Sequence, residues 1–446
     1  MKKVFYVSDS YPEKTLSFNN EHNSLDVVGN RINPQLYFLN SGEDIIVYAP
    51  YEGFAALIDI NEYKYLKKHK IADIDIPADL KIFYKNYYID KSTQEINRNI
   101  NELTVFMGDA CNLSCSYCFA ATLRNGKFDK DKIISGVKII LEKYTNIEYL
   151  SFFGNGEPTL YFDTIKDIVE STSNRIKEYF LTTNGVFGLR TEEIVRFLVK
   201  NNFYVQLSFD GNESIQDLQR PLARGGSSYK YIINTINEFK KYGDINKYVY
   251  PRFTLTDFSA KNLKTIIKFF KDIGFEKIRF AELEKTGKAE KNDSASTNQP
   301  NSTSIVPAII DAMIFAESLN IDFKGDYIPT TPHLEYSCAN MRGNSIVMNK
   351  NLNLLSCVND EEEWVIGKVD TENKKIDLQN EKINLFRNRK MSNFEECIEC
   401  PVKCGGGCTE LSYHYNKSLN VAGEYKEKCD AMRSILAGYL VKKLKN

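Results

Sequence analysis

The 446-residue sequence has no run of the roughly 18 apolar residues that a membrane-crossing helix needs. Two lysines stand near its N-terminus, but no long apolar stretch follows them, so no secretory signal is expected. Neither charge sign dominates: 58 Lys and Arg stand against 59 Asp and Glu, a formal net charge of −1. Bulk binding to nucleic acid or to a membrane surface is therefore not expected. Cysteine is absent from residues 1–110 and from residues 119–337. All ten cysteines fall into two groups, 111–118 and 338–429. Together these features point to a cytoplasmic chain, where thiols stay reduced and clustered cysteines bind metal rather than form disulfides. Hydrophobic residues make up 42% of the chain and charged residues 26%, ordinary for a globular protein of about three domains.

The first cysteine group is Cys111, Cys115 and Cys118, at C-x3-C-x2-C spacing in a loop after the apolar run 103–107. Soft thiolates close together suit an iron–sulfur cluster or zinc. No fourth cysteine is near; the next is Cys338. Three ligands and an open position suit a catalytic centre, because substrate must reach the metal. A structural zinc loop, or three buried thiols, is the plainer alternative. With Tyr117 before its third cysteine, the triplet resembles the signature of the radical S-adenosylmethionine (SAM) enzymes. That resemblance implies a 4Fe-4S cluster whose free iron binds the amino and carboxylate groups of S-adenosyl-L-methionine.

Residues 102–290 alternate strand and helix. Strands are expected at 103–107, 149–153, 180–183, 205–209, 250–255 and 277–281. Helical periodicity lies between them, as at Ile133, Ile134, Val137, Ile140 and Leu141. Six such repeats argue for a parallel sheet with right-handed crossovers, closed or partly closed. In barrels of this kind the chemistry gathers at the strand C-termini, where every polar motif of this stretch falls.

Those motifs extend the resemblance. Asn155, Gly156, Glu157 and Pro158 are similar to the family's Gly-Gly-Glu-Pro, which implies contact with the methionyl amino group. Asn155 departs from the usual first glycine. Ser208 and Asp210 resemble the strand-four motif that holds the ribose and carboxylate region. Asp217 and Arg220 are like the family's Asp-x-x-Arg, whose guanidinium pairs with the cofactor carboxylate; Arg252 is a second candidate for that job. By the same resemblance Leu283 lies near the adenosyl group, and Tyr117 and Phe119 flank adenine. Residues 284–304 are polar and low in complexity, and read as a linker or a lid over the catalytic end. A helix is expected at 305–319.

The second group is Cys338, Cys357, Cys397, Cys400, Cys404, Cys408 and Cys429. The density over 397–408 points to metal ligation, with three glycines letting the backbone fold tightly round a cluster. The order resembles the SPASM extension of peptide- and protein-modifying radical enzymes, which holds two auxiliary 4Fe-4S clusters. It implies Cys338, Cys357 and Cys408 for the first and Cys397, Cys400, Cys404 and Cys429 for the second. That makes three clusters in all, the first auxiliary one lacking a fourth cysteine. Two departures stand out: only three residues separate Cys400 from Cys404, and Leu352 stands where the pattern has glycine. Met432, Ile435, Leu436, Tyr439 and Leu440 share one face of a closing helix.

Residues 1–101 read as strands at 36–39, 44–49 and 53–58 and a helix at 62–69. In order and length they resemble the small leader-binding modules of some peptide-modifying radical enzymes; a β-rich cap on the next domain is the preferred reading. The expected fold is α/β, a partial (β/α)6 TIM-like barrel with an N-terminal β-rich module and a C-terminal cysteine-rich auxiliary-cluster domain. Its expected divisions are 1–101, 102–290, 291–337 (linker and helix) and 338–446.

The resemblance implies an enzyme that cleaves S-adenosyl-L-methionine to a 5′-deoxyadenosyl radical and takes hydrogen from a residue of a ribosomally made peptide, leaving a cross-linked or oxidised residue. Its partners are a peptide or protein substrate and an external one-electron reductant of flavodoxin or ferredoxin type, with no nucleic acid and no membrane. An anaerobic sulfatase-maturing enzyme is the close rival. Those relatives carry an aspartate base directly after the second cysteine of the extension. Val358 stands there instead, followed by Asn359 and Asp360, which leaves Asp360 as the candidate acid–base residue. A non-catalytic electron carrier or peptide-binding scaffold is the alternative outside enzymes, hinted at by Asn155 alone.

Overall fold

A computed structural model describes residues 3–6, 27–28, 31–32, 36–41, 44–50, 54–68, 89–90, 99–122, 127–291, 294, 298–328 and 336–445. Gly42 and Glu43 of the turn after the first expected strand, Gly53 and His69 lie outside the described residues. At the N-terminus, β1 (Lys3–Tyr6), β2 (Tyr37–Ser41), β3 (Asp44–Ala49) and β4 (Phe54–Ile58) form an antiparallel sheet in the order β1-β4-β3-β2. Helix α1 (Ile60–Lys68) covers one face, where Phe38, Val47, Ala56 and Leu66 form a small core. The opposite face, with Leu39, Ile46 and Leu57, merges with the main core.

The main sheet has eleven strands. Seven are β5 (Glu102–Phe106), β6 (Tyr149–Phe153), β7 (Glu178–Thr183), β8 (Phe203–Ser208), β9 (Val249–Leu255), β10 (Lys277–Glu282) and β11 (Asp322–Gly325), parallel and side by side in chain order. Between them run α2 (Lys130–Lys143), α3 (Phe162–Thr172), α4 (Thr191–Lys200), α5 (Tyr229–Lys240), α6 (Leu263–Asp272) and α7 (Ser302–Ser318). Each strand from β6 to β10 alternates strictly: residues such as Leu150, Phe152, Val205 and Leu207 are buried in the main core, while Ser151, Gln206 and Arg252 on the other face stay half-buried. The second face is the polar concave side of a partial barrel.

Three features go beyond the sequence reading. Strand β11 was expected as linker, because Asp322-Phe-Lys-Gly carries a single apolar residue and no alternation. The C-terminal region also continues the same sheet. Strand β12 (Ser345–Met348) pairs in parallel with β5, followed by antiparallel β13 (Asn353–Leu355), β14 (Val365–Asp370) and β15 (Lys375–Leu378). The closing helix α8 (Lys426–Lys445) is buried on more than its expected face, with Ala437, Gly438 and Val441 also covered, because it packs against both α7 and the N-terminal sheet. Among the described residues no helix is long and apolar enough to cross a membrane.

Candidate active site

The loop after β5 is stitched to its neighbours. Ala110 N donates to Tyr161 Oη at 3.1 Å, and Glu157 N donates to Ala110 O at 2.8 Å. A Cβ on Gly156 would lie 2.3 Å from Ala110 O, so only glycine permits that approach. On the other side Ser114 N and Ser116 N donate to Pro221 O and Gln219 O at 2.8 and 2.9 Å. Held this way, Cys111, Cys115 and Cys118 line a cavity of about 340 Å³ at the C-terminal ends of the barrel strands. That volume falls within the range of small-molecule sites.

Tyr117, Phe119, Asn155, Gly156, Glu157, Ser208, Arg220, Arg252 and Leu283 line the same cavity. The one expected cofactor contact outside the lining is Asp210. It is fully buried a layer behind, where its carboxylate accepts from Tyr117 Oη, from Gln219 Nε2 at 2.8 Å and from Thr254 N at 3.0 Å. It also pairs with Arg220 Nε at 3.0 Å. Burial opposes the Arg220 charge, but Asp210 holds its pKa well above the ordinary value. Arg220 sits 5.2 Å over the Tyr117 ring, with Nη1 4.0 Å from Cys115 Sγ. Asp210 thus aims a permanent cation and an aromatic ring at the cavity. Asp217 also works from behind, accepting from Ser228 N and Tyr229 N at the start of α5.

Glu157 is engaged too. Its Oε1 accepts from Thr159 N, Thr159 Oγ1 and Thr183 Oγ1 at 3.1, 2.7 and 2.6 Å, and its Oε2 from Asn184 N at 2.8 Å. Burial raises its pKa, and these four donors counter the shift. Its carboxylate braces the loops after β6 and β7, while Asn155 and Gly156 line the cavity.

The segment after β10 is not a solvated linker at its start. Lys288 donates from Nζ to Ser114 Oγ at 2.8 Å and from N to Cys118 O at 3.1 Å, and Ala289 is buried with Tyr117 and Leu283. Residues 284–291 therefore clasp the cysteine loop. Residues 292–293 and 295–297 of the expected linker lie outside the described residues.

Cys357 and Cys408 line the same cavity as the first three cysteines. Cys408 lies within electrostatic range of Cys357, and Cys357 of Cys338. Cys397, Cys400, Cys404 and Cys429 form a separate neighbourhood. The short step from Cys400 to Cys404 is absorbed by Lys403 at φ 51°, followed by Gly405, Gly406 and Gly407 at φ 74°, 83° and 75°. Burial pushes the Cys115 thiol up to about 12 and the Cys397 thiol up to about 11. Among the described residues no three His, Cys, Asp or Glu side chains are placed to share one metal ion.

Sequence reasoning missed the acidic wall of the cavity, Glu282, Glu284 and Glu410. Glu282 accepts from Tyr425 Oη at 2.6 Å and pairs with Lys428 at 3.1 Å. Burial, with Glu410 and Asp326 nearby, raises Glu284 to about 8. Asp360 is outside the cavity lining, and its carboxylate is occupied: Asn155 Nδ2 donates at 2.9 Å and Asn349 Nδ2 at 2.6 Å.

Residues 105–280, which hold the three-cysteine loop and the parallel half-barrel, match the Radical SAM superfamily and form a radical SAM domain. The cysteine-rich C-terminal region fits the SPASM extension. Over 185 residues the chain is 29% identical to the cysteine-type anaerobic sulfatase-maturating enzyme of Clostridium perfringens, covering 38% of this chain and 48% of that enzyme. The chain thus spans about half the length of the curated relatives it matches. The structure of anSMEcpe with bound AdoMet and Cp18Cys peptide superposes with a TM-score of 0.59 at 20% identity, over 76% of this chain and 96% of that one. Streptococcus suis SuiB bound to precursor peptide SuiA superposes with a TM-score of 0.51 at 15% identity, over 91% and 99%. Both structural likenesses are likenesses of fold.

Proposed function

We propose that this chain is a radical SAM enzyme that modifies a residue of a ribosomally made peptide, using S-adenosyl-L-methionine, one cluster at Cys111, Cys115 and Cys118, and two auxiliary clusters. One observation carries the reading: thiols of both cysteine groups, Cys111, Cys115 and Cys118 with Cys357 and Cys408, face a single cavity. When bound, the cluster and S-adenosyl-L-methionine supply one-electron cleavage of the sulfonium and a carbon radical able to take hydrogen from an unactivated carbon. The chain's own residues orient and enclose. Arg220, fixed by Asp210, pairs with the cofactor carboxylate. Tyr117 and Phe119 would flank the adenine and Leu283 would lie near the adenosyl group, while Ser208 and the backbone at Asn155 and Gly156 would hold the ribose and amino groups. The acidic wall of Glu282, Glu284 and Glu410 faces the peptide.

Peptide complexes of anSMEcpe and SuiB support a peptide substrate in the same fold. The sulfatase-maturing reading draws on the sequence similarity, but Val358 stands at the base position, and Asp360 is tied to Asn155 and Asn349. Anaerobic reconstitution tests the proposal. The expected result is about twelve irons per chain and 5′-deoxyadenosine on adding dithionite and S-adenosyl-L-methionine. Zinc in place of iron, with no cleavage, overturns it. Mass spectrometry of a short peptide encoded beside this gene, co-expressed with the enzyme, should then show loss of two hydrogen atoms. Oxidation of a sulfatase-derived Cys or Ser peptide instead establishes the rival.

A further inference from the structure

Arg389 is 4% exposed, yet among the described residues it has no carboxylate at ion-pair distance. Its partners are backbone carbonyls. Nη1 donates to Gly407 O at 3.2 Å, and Nη2 to Gly423 O at 2.6 Å and Val421 O at 3.2 Å. Nε is buried with no hydrogen-bond partner. The Phe394 ring lies 5.4 Å away. Glu424, the carboxylate of this region, is paired with Lys428 at 2.6 Å and accepts from Cys408 N at 2.8 Å. A buried guanidinium without a counter-charge is strongly disfavoured.

Its position supplies the missing charge. Gly407 directly precedes Cys408, a thiol of the cavity-facing group. Gly423 is pressed on Cys429 of the other group; a Cβ there would lie 2.4 Å from Cys429 Sγ. The guanidinium therefore bridges backbone beside one thiol of each group, with Cys397, Cys408 and Cys404 within its electrostatic reach; Glu424 is within reach too, but its carboxylate is already paired with Lys428. Clusters held by thiolates carry net negative charge, and that charge grows by one on reduction.

We infer that Arg389 is the shared counter-ion of the two auxiliary iron–sulfur sites and raises the reduction potential of both. This rests on the auxiliary-cluster reading above. A permanent cation stabilises the more negative, reduced state of a neighbouring cluster, and charge and hydrogen bonding around the sulfurs set its potential. Arg389 is a positioning and tuning residue; it is outside the cavity lining.

The test uses the full chain carrying Cys111→Ala, Cys115→Ala and Cys118→Ala, which leaves only the auxiliary sites to load. Iron and sulfide are counted after anaerobic reconstitution, and midpoint potentials are read by paramagnetic resonance during titration with dithionite. Arg389→Gln should shift the auxiliary potentials to more negative values, and Arg389→Lys, which keeps the charge, should shift them less. Loss of auxiliary iron in Arg389→Gln but not in Arg389→Lys supports the same role. Potentials in Arg389→Gln equal to those of its background overturn the inference. So does equal iron loss in both variants, which assigns Arg389 a purely geometric part. A background protein that loads no iron overturns the auxiliary-cluster reading itself, and this inference with it.

Discussion

Asn155 and Asp360, 205 positions apart, are joined by a 2.9 Å hydrogen bond from Nδ2 to Oδ2. The first lies on the loop after β6 and the second follows Cys357, so the bond ties the radical domain to the cysteine-rich region. Asn155 is also the residue that departs from the family's Gly-Gly-Glu-Pro. The departure therefore has a structural partner. If Asp360 serves as this latch and not as a base, Asp360→Asn should reduce substrate turnover by less than the roughly hundredfold loss that removing a general base brings. Asn155→Gly and Asp360→Ala should be non-additive in a double-mutant cycle of unfolding, with about 1–2 kcal/mol of coupling.

Asp210 is the residue behind the cofactor site whose loss should be felt most. Asp210→Asn leaves the Arg220 guanidinium buried without its partner, which costs about 3–5 kcal/mol of stability by the general behaviour of buried pairs. Chemical denaturation measures that loss. Titration calorimetry with S-adenosyl-L-methionine should show weakened binding, since the guanidinium and the Tyr117 ring both lose their anchor.

Glu284 should give the apoprotein a pH dependence. Its folded pKa is raised from 4.5 to about 8. Between those values the folded chain holds a proton that the unfolded chain has released. Its contribution to stability is thus fully present below about 4.5 and is lost as pH rises through about 8. Glu284→Gln should flatten that part of the stability–pH curve measured by urea unfolding; an unchanged slope would sink the assignment.

Leu352 lies at φ 63°, a left-handed conformation that glycine adopts freely and leucine does not. The family's glycine at this point follows from that geometry. Yet Leu352 is buried in the main core, close against Gly136. Leu352→Gly relieves about 1–2 kcal/mol of backbone strain but removes a core side chain worth about 2–5 kcal/mol. The net expectation is a loss of about 0–4 kcal/mol, read by denaturant midpoint. A gain in stability would mean that strain outweighs packing.

Gly156→Ala should act locally. Its methyl would meet Ala110 O at 2.3 Å and push the cysteine loop away. Iron retained at Cys111, Cys115 and Cys118 should fall while auxiliary iron is kept, as counted in reconstituted protein.

The cysteines and the loops at strand ends were legible because their chemistry demands fixed residue types at short spacing. Tyr117, Arg220, Arg252 and Leu283 do come to one cavity, as the order of motifs implied. Asp210 was named but misplaced by one layer, since sequence marks a polar residue at a strand end without saying what stands in front of it. Arg389 was invisible: its partners are carbonyls of Gly407, Val421 and Gly423, and a backbone acceptor leaves no side-chain signal. Strand β11 was hidden because a four-residue edge strand needs no hydrophobic period. The pairing of β12 with β5 spans more than 240 residues, a separation that local pattern does not encode.

That pairing also decides how the chain can be dissected. A fragment ending before residue 345 would leave β5 with an open row of amide and carbonyl groups along Glu102–Val105, at the base of the cysteine loop. Strand edges of this kind recruit other chains. The radical domain is therefore not a portable module: cut free of its neighbour, it becomes a template for self-association, and the two halves must be made and studied as one polypeptide.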